Sequence, residues 1–442
     1  MDLPLISAVE AAAAIRDGRI TSEELVQACL DHIATTEDKV CAWAHLDPAH
    51  ALEQARAVDR LQREGKPLGA LHGVPVGVKD IFDTHDMPTE DGTVLHAGRQ
   101  PQQDAAAVAR LRAAGAVILG KTVTTELAVY APGKTRNPHD LERSPGGSSS
   151  GSAAAVAAGM VTLAVGTQTN GSVIRPASYC GIFGFKPSYG RISRHRVLQQ
   201  SRPLDQIGVF ARTVEDTALI TEQLMGFDEH DPDTRLRARP PLVKTAAEDP
   251  PFQPRLAFVK TPMWDQAESD TREAFTELVT HLGEIADEVA LPEIFNDAVL
   301  LHRTIMEADL ARSFAPEYDR GKDKLSAILR EMIERGQKVL AKDYNHALGR
   351  IPVLNRAFDN IFDWHDAILT PATTGVAPVG LESTGSPVFC TIWTLCGMPA
   401  ITLPILQGAA GMPLGVQLVG VKGDDARLLR TARWLTAYVA GD

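Results

Sequence analysis

Residues 144–193 read SPGGSSSGSAAAVAAGMVTLAVGTQTNGSVIRPASYCGIFGFKPSYGRIS, which is the most informative part of the sequence. A glycine-framed serine cluster, residues 148–150, precedes a small-residue helix that passes into a strand. Ser172 follows the strand-like residues 162–169 in a Thr-Asn-Gly-Ser turn, whose successive N–H groups can converge on an oxyanion. The layout predicts two serines that work together, with Ser172 as the nucleophile.

The composition is that of a globular protein. The chain has 442 residues, of which 44% are hydrophobic and 23% charged, and its formal net charge is −12. Because phosphate binding needs a basic face, this charge argues against nucleic acid as a partner. The length exceeds the usual size of one domain, but no repeat or linker divides the chain, so we expect a single domain over residues 1–442.

The sequence shows no targeting or membrane segment. Residues 1–20 carry acidic residues in place of the basic start of a signal peptide. The longest nearly apolar run, residues 153–166, is too short and too rich in Ala and Gly to span a bilayer. The five cysteines form no CxxC pair, and the histidines form no HExxH pattern. We therefore expect a cytoplasmic protein with no metal and no other cofactor.

Alternating strand and helix patterns predict an α/β fold. Helices are expected after the N-cap residues 21–22, over residues 47–64, and over residues 105–114 with Asp104 as N-cap. Residues 228–254, which are rich in proline and charge, predict an irregular surface connection. Buried strands are expected within residues 73–83, 116–121, 255–260, 367–371, 399–404 and 416–420.

Ser172 requires a base, because a serine hydroxyl is a weak nucleophile. No histidine flanks it, but Lys79 lies in an apolar segment with three valines. Desolvation there would lower the lysine pKa from its usual value of about 10.4 and favour a neutral amine. The alternative is an ordinary lysine that pairs with Asp80 or Asp83 at the end of a strand.

The serine cluster also admits other interpretations. A run such as residues 146–152 is often a flexible linker. A phosphate-binding loop would need lysine after the second glycine, where Ser152 stands. Gly-Ser-Ser-Ser-Gly also matches the nucleophile elbow of α/β-hydrolase esterases, although residues 136–145 contain two prolines and predict no strand. That alternative would use His346 or His365 as the base.

Four segments in order carry a resemblance to a known family. They are GVPVGVKD (73–80), GGSSSGSAAAVAAG (146–159), GTQTNGS (166–172) and PASYCGIFGFKP (176–187). Together they resemble the amidase signature family, hydrolases with a Ser-Ser-Lys triad. The resemblance implies a large mixed central β-sheet covered by helices on both faces. It is dense over a signature core at residues 71–193, and residues 255–365 would form a mostly helical peripheral region.

The resemblance also implies roles for individual residues. Ser172 would be the nucleophile, Ser148 the bridging serine after a cis peptide bond, and Lys79 the terminal base. The oxyanion hole would be formed by the backbone N–H groups of Thr169, Asn170, Gly171 and Ser172. Substrate-binding positions would be Ala128, Val129, Tyr130, Arg175 and Trp393.

The chain departs from the commonest family pattern at three positions. Gln168 stands where Asp is usual, Asn170 where Gly is usual, and Arg175 lies one residue later than usual. Some members with these Gln and Arg positions act on small acids, so Arg175 either binds a substrate carboxylate or anchors the loop. Asn170 keeps its N–H, and we expect the oxyanion hole to survive.

The resemblance implies hydrolysis of amide C–N bonds through a serine acyl-enzyme. The expected substrates are small aryl or aliphatic amides, carbamates (urethanes) and esters, and the protein would act as a monomer or homodimer. The alternative is the glutaminase subunit of a multi-subunit amidotransferase. Residues 394–397 read Thr-Leu-Cys-Gly where such subunits usually have Asn-Leu-Ala-Gly, which weakens that alternative.

Overall fold

A large mixed β-sheet forms the centre of the molecule in the computed structural model, which describes residues 2–441. Its strands are β1 (Trp43–Leu46), β2 (Pro75–Lys79), β3 (Val117–Thr122), β4 (Leu163–Gln168), β5 (Phe183–Lys186), β6 (Gln206–Ala211), β7 (Leu256–Phe258), β8 (Ala286–Glu288), β9 (Ala367–Pro371), β10 (Ala400–Gln407) and β11 (Pro413–Val419). They lie in the order β1-β3-β2-β4-β6-β5-β10-β11-β9-β7-β8. The sheet contains both parallel and antiparallel pairs, which confirms the predicted fold class.

Helices pack against this sheet and against one another. They are α1 (Ala8–Arg16), α2 (Ser22–Val40), α3 (Pro48–Arg63), α4 (Ala106–Ala113), α5 (Ser150–Ala157), α6 (Ile174–Cys180), α7 (Val214–Leu224), α8 (Leu242–Ala247), α9 (Ser269–Leu282), α10 (Ala298–Ser313), α11 (Ala315–Gly321), α12 (Ala327–Gly336), α13 (Ala341–Ala357), α14 (Asp359–Phe362), α15 (Val388–Leu395) and α16 (Asp425–Ala440). None of the helices within residues 2–441 is both long and apolar enough to cross a membrane.

Two predictions made from local sequence were wrong. Asp104 does not cap α4, whose N-cap is Ala105 without a side-chain hydrogen bond. The Asp104 carboxylate instead accepts from the Arg112 Nε at 3.0 Å and from the His85 backbone N–H at 3.0 Å. Residues 228–254 are not wholly irregular, because they contain α8, which packs on α7 and α16 through buried Leu242.

Close backbone packing fixes α5, the helix that follows the serine cluster. A Cβ atom at Gly151 would lie 2.2 Å from the Ala42 carbonyl oxygen and 2.3 Å from the Val123 nitrogen. Only glycine permits this approach without moving the neighbouring backbone. The helix therefore holds residues 148–150 against the end of β3.

Strand topology brings the predicted functional segments to one edge of the sheet. β2 and β4 are parallel neighbours, with Val78 opposite Val165. Lys79 ends β2, and Gln168 ends β4 just before the turn that carries Ser172. Since parallel strands end on the same side, the lysine and the serine turn leave the sheet together.

Candidate active site

Lys79 lies in a fully buried, largely uncharged environment. Its Nζ is 2.7 Å from Ser148 Oγ and 3.0 Å from Thr167 Oγ1. Within residues 2–441, no carboxylate lies within ion-pair distance of this amine. Burial lowers the pKa of Lys79 well below its ordinary value, and the negative charge of Asp205 opposes this only in part. The site therefore favours a neutral amine that can accept the Ser148 proton.

The acids considered as partners for Lys79 have other partners. Asp80 pairs with Lys121 of β3 at 3.0 Å. Asp83 pairs with Arg99 at 2.8 Å. The alternative of an ion-paired lysine at the end of β2 is therefore wrong.

Ser148 is buried just before the start of α5, and the peptide bond between Gly147 and Ser148 is cis. The fully buried Arg175 holds this loop: its guanidinium donates to the Gly147 carbonyl at 2.6 Å and to the Gly385 carbonyl at 2.6 Å. No acidic side chain of the described chain forms an ion pair with Arg175. Its contacts are those of an anchor between two loops.

Ser172 follows β4 and is 9% exposed. Within residues 2–441, no hydrogen bond joins its hydroxyl to Ser148, and the backbone N–H groups of Asn170, Gly171 and Ser172 have no protein acceptor. Catalytic hydrogen bonds are often loose before substrate binds, so this geometry is compatible with proton transfer between the serines. The N–H groups are available to a substrate oxygen.

Side-chain hydrogen bonds hold the turn around Ser172. Gln168 Oε1 accepts from the N–H groups of Val173 at 2.8 Å and Ile174 at 3.0 Å. Gln168 Nε2 donates to Thr394 Oγ1 at 2.9 Å. A further contact joins His302 Nε2 and the Thr169 carbonyl oxygen at 2.8 Å. Sequence reasoning missed His302, because a histidine on the buried face of a helix carries no local sign of its partner.

A cavity of about 410 Å³ reaches the turn at Asn170. Asn170 Nδ2 donates to the Tyr130 hydroxyl at 3.1 Å, and Asn170 Oδ1 accepts from Thr391 at 2.8 Å. These three residues line one side of the cavity. Helices α10 and α12 form a second wall through Val299, His302, Met306, Ile328 and Met332, and the lining also includes Arg303, Glu307, Glu331 and Arg335.

The other predicted pocket residues lie outside this lining. Ala128 and Val129 are buried, and the Ala128 carbonyl accepts from Gln200 Nε2 at 2.5 Å. Trp393 is fully buried with its ring 5.5 Å from that of Phe358. Tyr130 is therefore the member of the predicted set that faces the cavity, and Trp393 contributes to the core behind it.

A second cavity, of about 360 Å³, reaches Thr167 and Thr169. Its wall includes the buried Asp205, which accepts from the Thr169 hydroxyl at 2.6 Å. Burial raises the pKa of Asp205 to about 6. Arg194, which also lines the cavity, is paired with Asp231 at 2.7 Å. This cavity is more polar than the one at Asn170.

The histidines considered for an esterase site lie elsewhere. His365 binds the Ile361 carbonyl at 3.0 Å and Asp287 at 3.2 Å. His346 is exposed on α13. The histidine beside the turn is His302, and its Nε2 is engaged with a backbone carbonyl. The α/β-hydrolase alternative therefore lacks its base.

One cluster of metal-ligand types occurs in the described part of the chain. Donor atoms of His85, Asp86 and Asp104 lie within 4.8 Å of one another. Arg112 donates to both carboxylates, at 2.7 Å and 3.0 Å. The guanidinium already occupies oxygens of both carboxylates, so this donor set does not suit a cation.

Comparisons with known proteins give a consistent result. A family model described as Amidase matches residues 24–429. One amidotransferase subunit, from the glutamyl-tRNA(Gln) enzyme of Chloroflexus aggregans, is 35% identical over 469 residues, covering 97% of this chain and 95% of that protein. A structure from a vestigial protein complex that reveals the origins of an s-triazine catabolic enzyme superimposes with a TM-score of 0.91, at 27% identity and covering 99% of both chains. Native peptide amidase from Stenotrophomonas maltophilia gives a TM-score of 0.86 at 29% identity, covering 98% of this chain and 97% of that chain.

Proposed function

The chain belongs to the amidase signature family, whose members act on amide C–N bonds, and we propose that it hydrolyses small amides and carbamates through an acyl-enzyme on Ser172. The observation that carries the proposal is the 2.7 Å contact between Lys79 Nζ and Ser148 Oγ in a buried site without a carboxylate partner. Such a site supplies the neutral base that a serine nucleophile needs.

Acylation begins with two coupled proton transfers. Lys79 accepts the proton of Ser148, Ser148 accepts that of Ser172, and the Ser172 oxygen attacks the carbonyl carbon. The negative charge that develops on the carbonyl oxygen is stabilised by the N–H groups of the turn at residues 169–172. The two transfers then reverse: Ser148 protonates the leaving nitrogen, the C–N bond breaks, and Lys79 returns the proton to Ser148.

Water completes the cycle by the same route. A water molecule gives its proton to Ser148, and thereby to Lys79, as its oxygen attacks the acyl carbon. The C–O bond to Ser172 breaks, and the proton returns to the Ser172 oxygen. With a carbamate, the acyl group released is a carbonic acid derivative. Esters follow the same path with an alcohol as the leaving group.

The cavity at Asn170 supports a substrate with an apolar substituent. Its helical wall presents Val299, Met306 and Met332 to the cavity. The two arginines and two glutamates in its lining have opposite and equal formal charge, and Arg335 pairs with Glu307 at 2.7 Å. An aryl or short alkyl group would therefore gain more there than a charged one. We propose that Arg175 acts as an anchor and leaves a substrate carboxylate unbound.

A glutaminase subunit is the second candidate, and the curated relatives favour it. Relatives at 35% identity, such as that from Chloroflexus aggregans, are amidotransferase subunits. A chain of that kind would hydrolyse glutamine and act together with other proteins. We place this candidate second because residues 394–397 differ from the Asn-Leu-Ala-Gly that is usual in such subunits.

A substrate panel distinguishes the two candidates. The purified chain is tested on acetanilide, an aryl carbamate, propionamide and glutamine, and its mass in solution is measured by light scattering. We expect turnover of the aryl substrates by a monomer or homodimer. Turnover of glutamine alone, or activity that appears only when other proteins co-purify, would favour the amidotransferase candidate.

A further inference from the structure

We propose that His302 and Thr394 are positioning residues that aim the backbone N–H groups of Asn170 and Gly171 at the substrate carbonyl oxygen. The inference rests on the proposed acyl-enzyme function and adds two side chains from outside the signature core to its machinery. One lies on α10 and the other on α15. Both are buried, with His302 only 2% exposed.

The argument begins with the geometry of the peptide unit. In a planar trans peptide, the C=O bond and the N–H bond of the next residue point in opposite directions. His302 Nε2 lies 2.8 Å from the Thr169 oxygen, and Thr394 Oγ1 lies 2.5 Å from the Asn170 oxygen. Holding the first carbonyl orients the N–H of Asn170, and holding the second orients the N–H of Gly171. Both N–H groups thus point away from the side chains of His302 and Thr394.

The proton on His302 is fixed by its partner. A carbonyl oxygen only accepts, so Nε2 must carry the hydrogen and the ring must donate. Burial lowers the pKa of His302 to about 4, so the ring stays neutral in the range where Lys79 acts as a base. The donor to the Thr169 carbonyl therefore does not change with pH near neutrality.

The direction of the Thr394 hydroxyl is set by Gln168. The Gln168 Nε2 group donates to Thr394 Oγ1 at 2.9 Å, which leaves the hydroxyl proton free for the Asn170 carbonyl. A carboxylate at position 168 could only accept. It would draw the Thr394 proton to itself and leave the Asn170 carbonyl without its donor. The amide of Gln168 thereby controls the orientation of one N–H group in the turn.

Conservative substitutions test this inference. Thr394→Val and His302→Leu each remove one hydrogen-bond donor to the turn and keep a side chain of similar size. Gln168→Glu reverses the direction of the Thr394 hydroxyl. Thr394→Ser and His302→Gln each keep a side-chain donor at the position. For Thr394→Val, His302→Leu and Gln168→Glu we expect kcat on acetanilide to fall by about 10- to 100-fold, with KM changed by less than about threefold. Thr394→Ser and His302→Gln should recover most of the loss.

Phenylboronic acid supplies a readout that a merely structural role would not move. It forms a tetrahedral adduct with a serine nucleophile and places an oxygen where the oxyanion develops. Its affinity should fall in parallel with kcat, whereas the affinity of benzyl alcohol, which offers no such oxygen, should stay unchanged. Circular dichroism verifies that each variant is folded, and Thr394→Ser, which keeps the hydroxyl at nearly the same shape, guards against loss of folding in the others.

Two results would overturn the inference. One is wild-type kcat and boronate affinity in both Thr394→Val and Gln168→Glu. The other is a change confined to KM. Failure of the proposed function is distinguishable from failure of this inference. If the proposed function is wrong, the wild-type protein forms no covalent adduct at Ser172 in intact-mass analysis, whatever the variants do.

Discussion

The triad region and the helical wall of the cavity at Asn170 are built in different ways. Lys79 and Ser148 are almost fully buried, and side-chain and backbone hydrogen bonds hold the segments around them. The wall from α10 and α12 presents methionines and aliphatic groups, with charged side chains at its margin, of which Arg335 is half exposed. A rigid sheet edge suits proton transfer, whose distances must be exact to fractions of an ångström. A helical surface can change its side chains without disturbing that edge.

The largest expected effect concerns the nucleophile. Ser172→Ala removes the oxygen that attacks the substrate, so kcat/KM on acetanilide should fall by about 10⁴-fold or more, and no acyl-enzyme should form. Ser150→Ala is the matched control, because within residues 2–441 the Ser150 hydroxyl forms one hydrogen bond, to the Val123 carbonyl at 3.3 Å. The control should retain activity within about threefold. Substantial turnover by Ser172→Ala would remove the proposed function.

The next effect concerns the base. Lys79→Met keeps the volume and removes the proton acceptor, and we expect a loss of about 10³-fold in kcat. In the wild type, only the neutral amine accepts a proton. Since burial lowers the pKa of Lys79, activity should fall as pH falls through that lowered value and should level off at higher pH. A stopped assay of kcat and kcat/KM across pH measures the loss in Lys79→Met and the pH dependence of the wild type.

Lys121→Met serves as the control for the base. Lys121 is also buried, but it is paired with Asp80, so its loss should lower the melting temperature and leave the shape of the pH profile unchanged. An identical pH profile in wild type and Lys79→Met would contradict the role of Lys79.

The smallest expected effect tests the wall. Met332→Ala removes apolar surface from the cavity at Asn170 without touching the triad. We expect kcat/KM for an aryl amide to fall by about tenfold, and that for propionamide by less than about twofold. Arg330→Ala, also on α12 but not part of the cavity lining, is the control. Equal losses for both substrates would show that the wall does not select the substituent.

The sequence predicted one of these regions far better than the other. Most of the expected strands, α2 with its cap at Thr21, and α3 follow from local patterns, and the structure confirms them. Asp104 failed as a cap because its carboxylate binds Arg112 and His85, a contact made by folding. The contacts of His302 and Thr394 with the turn span more than 130 residues and leave no mark on their neighbours in the chain.

The position of the last two strands bears on how the chain acquires its site. β10 and β11 are formed by residues 400–419 but lie between β5 and β9 in the middle of the sheet. A nascent chain that has emerged only to residue 390 has both serines and the lysine but lacks the strands that join the two halves of the sheet. Such long-range pairing is slow and exposes strand edges meanwhile. Overproduction in a heterologous host should therefore benefit from low temperature and chaperones.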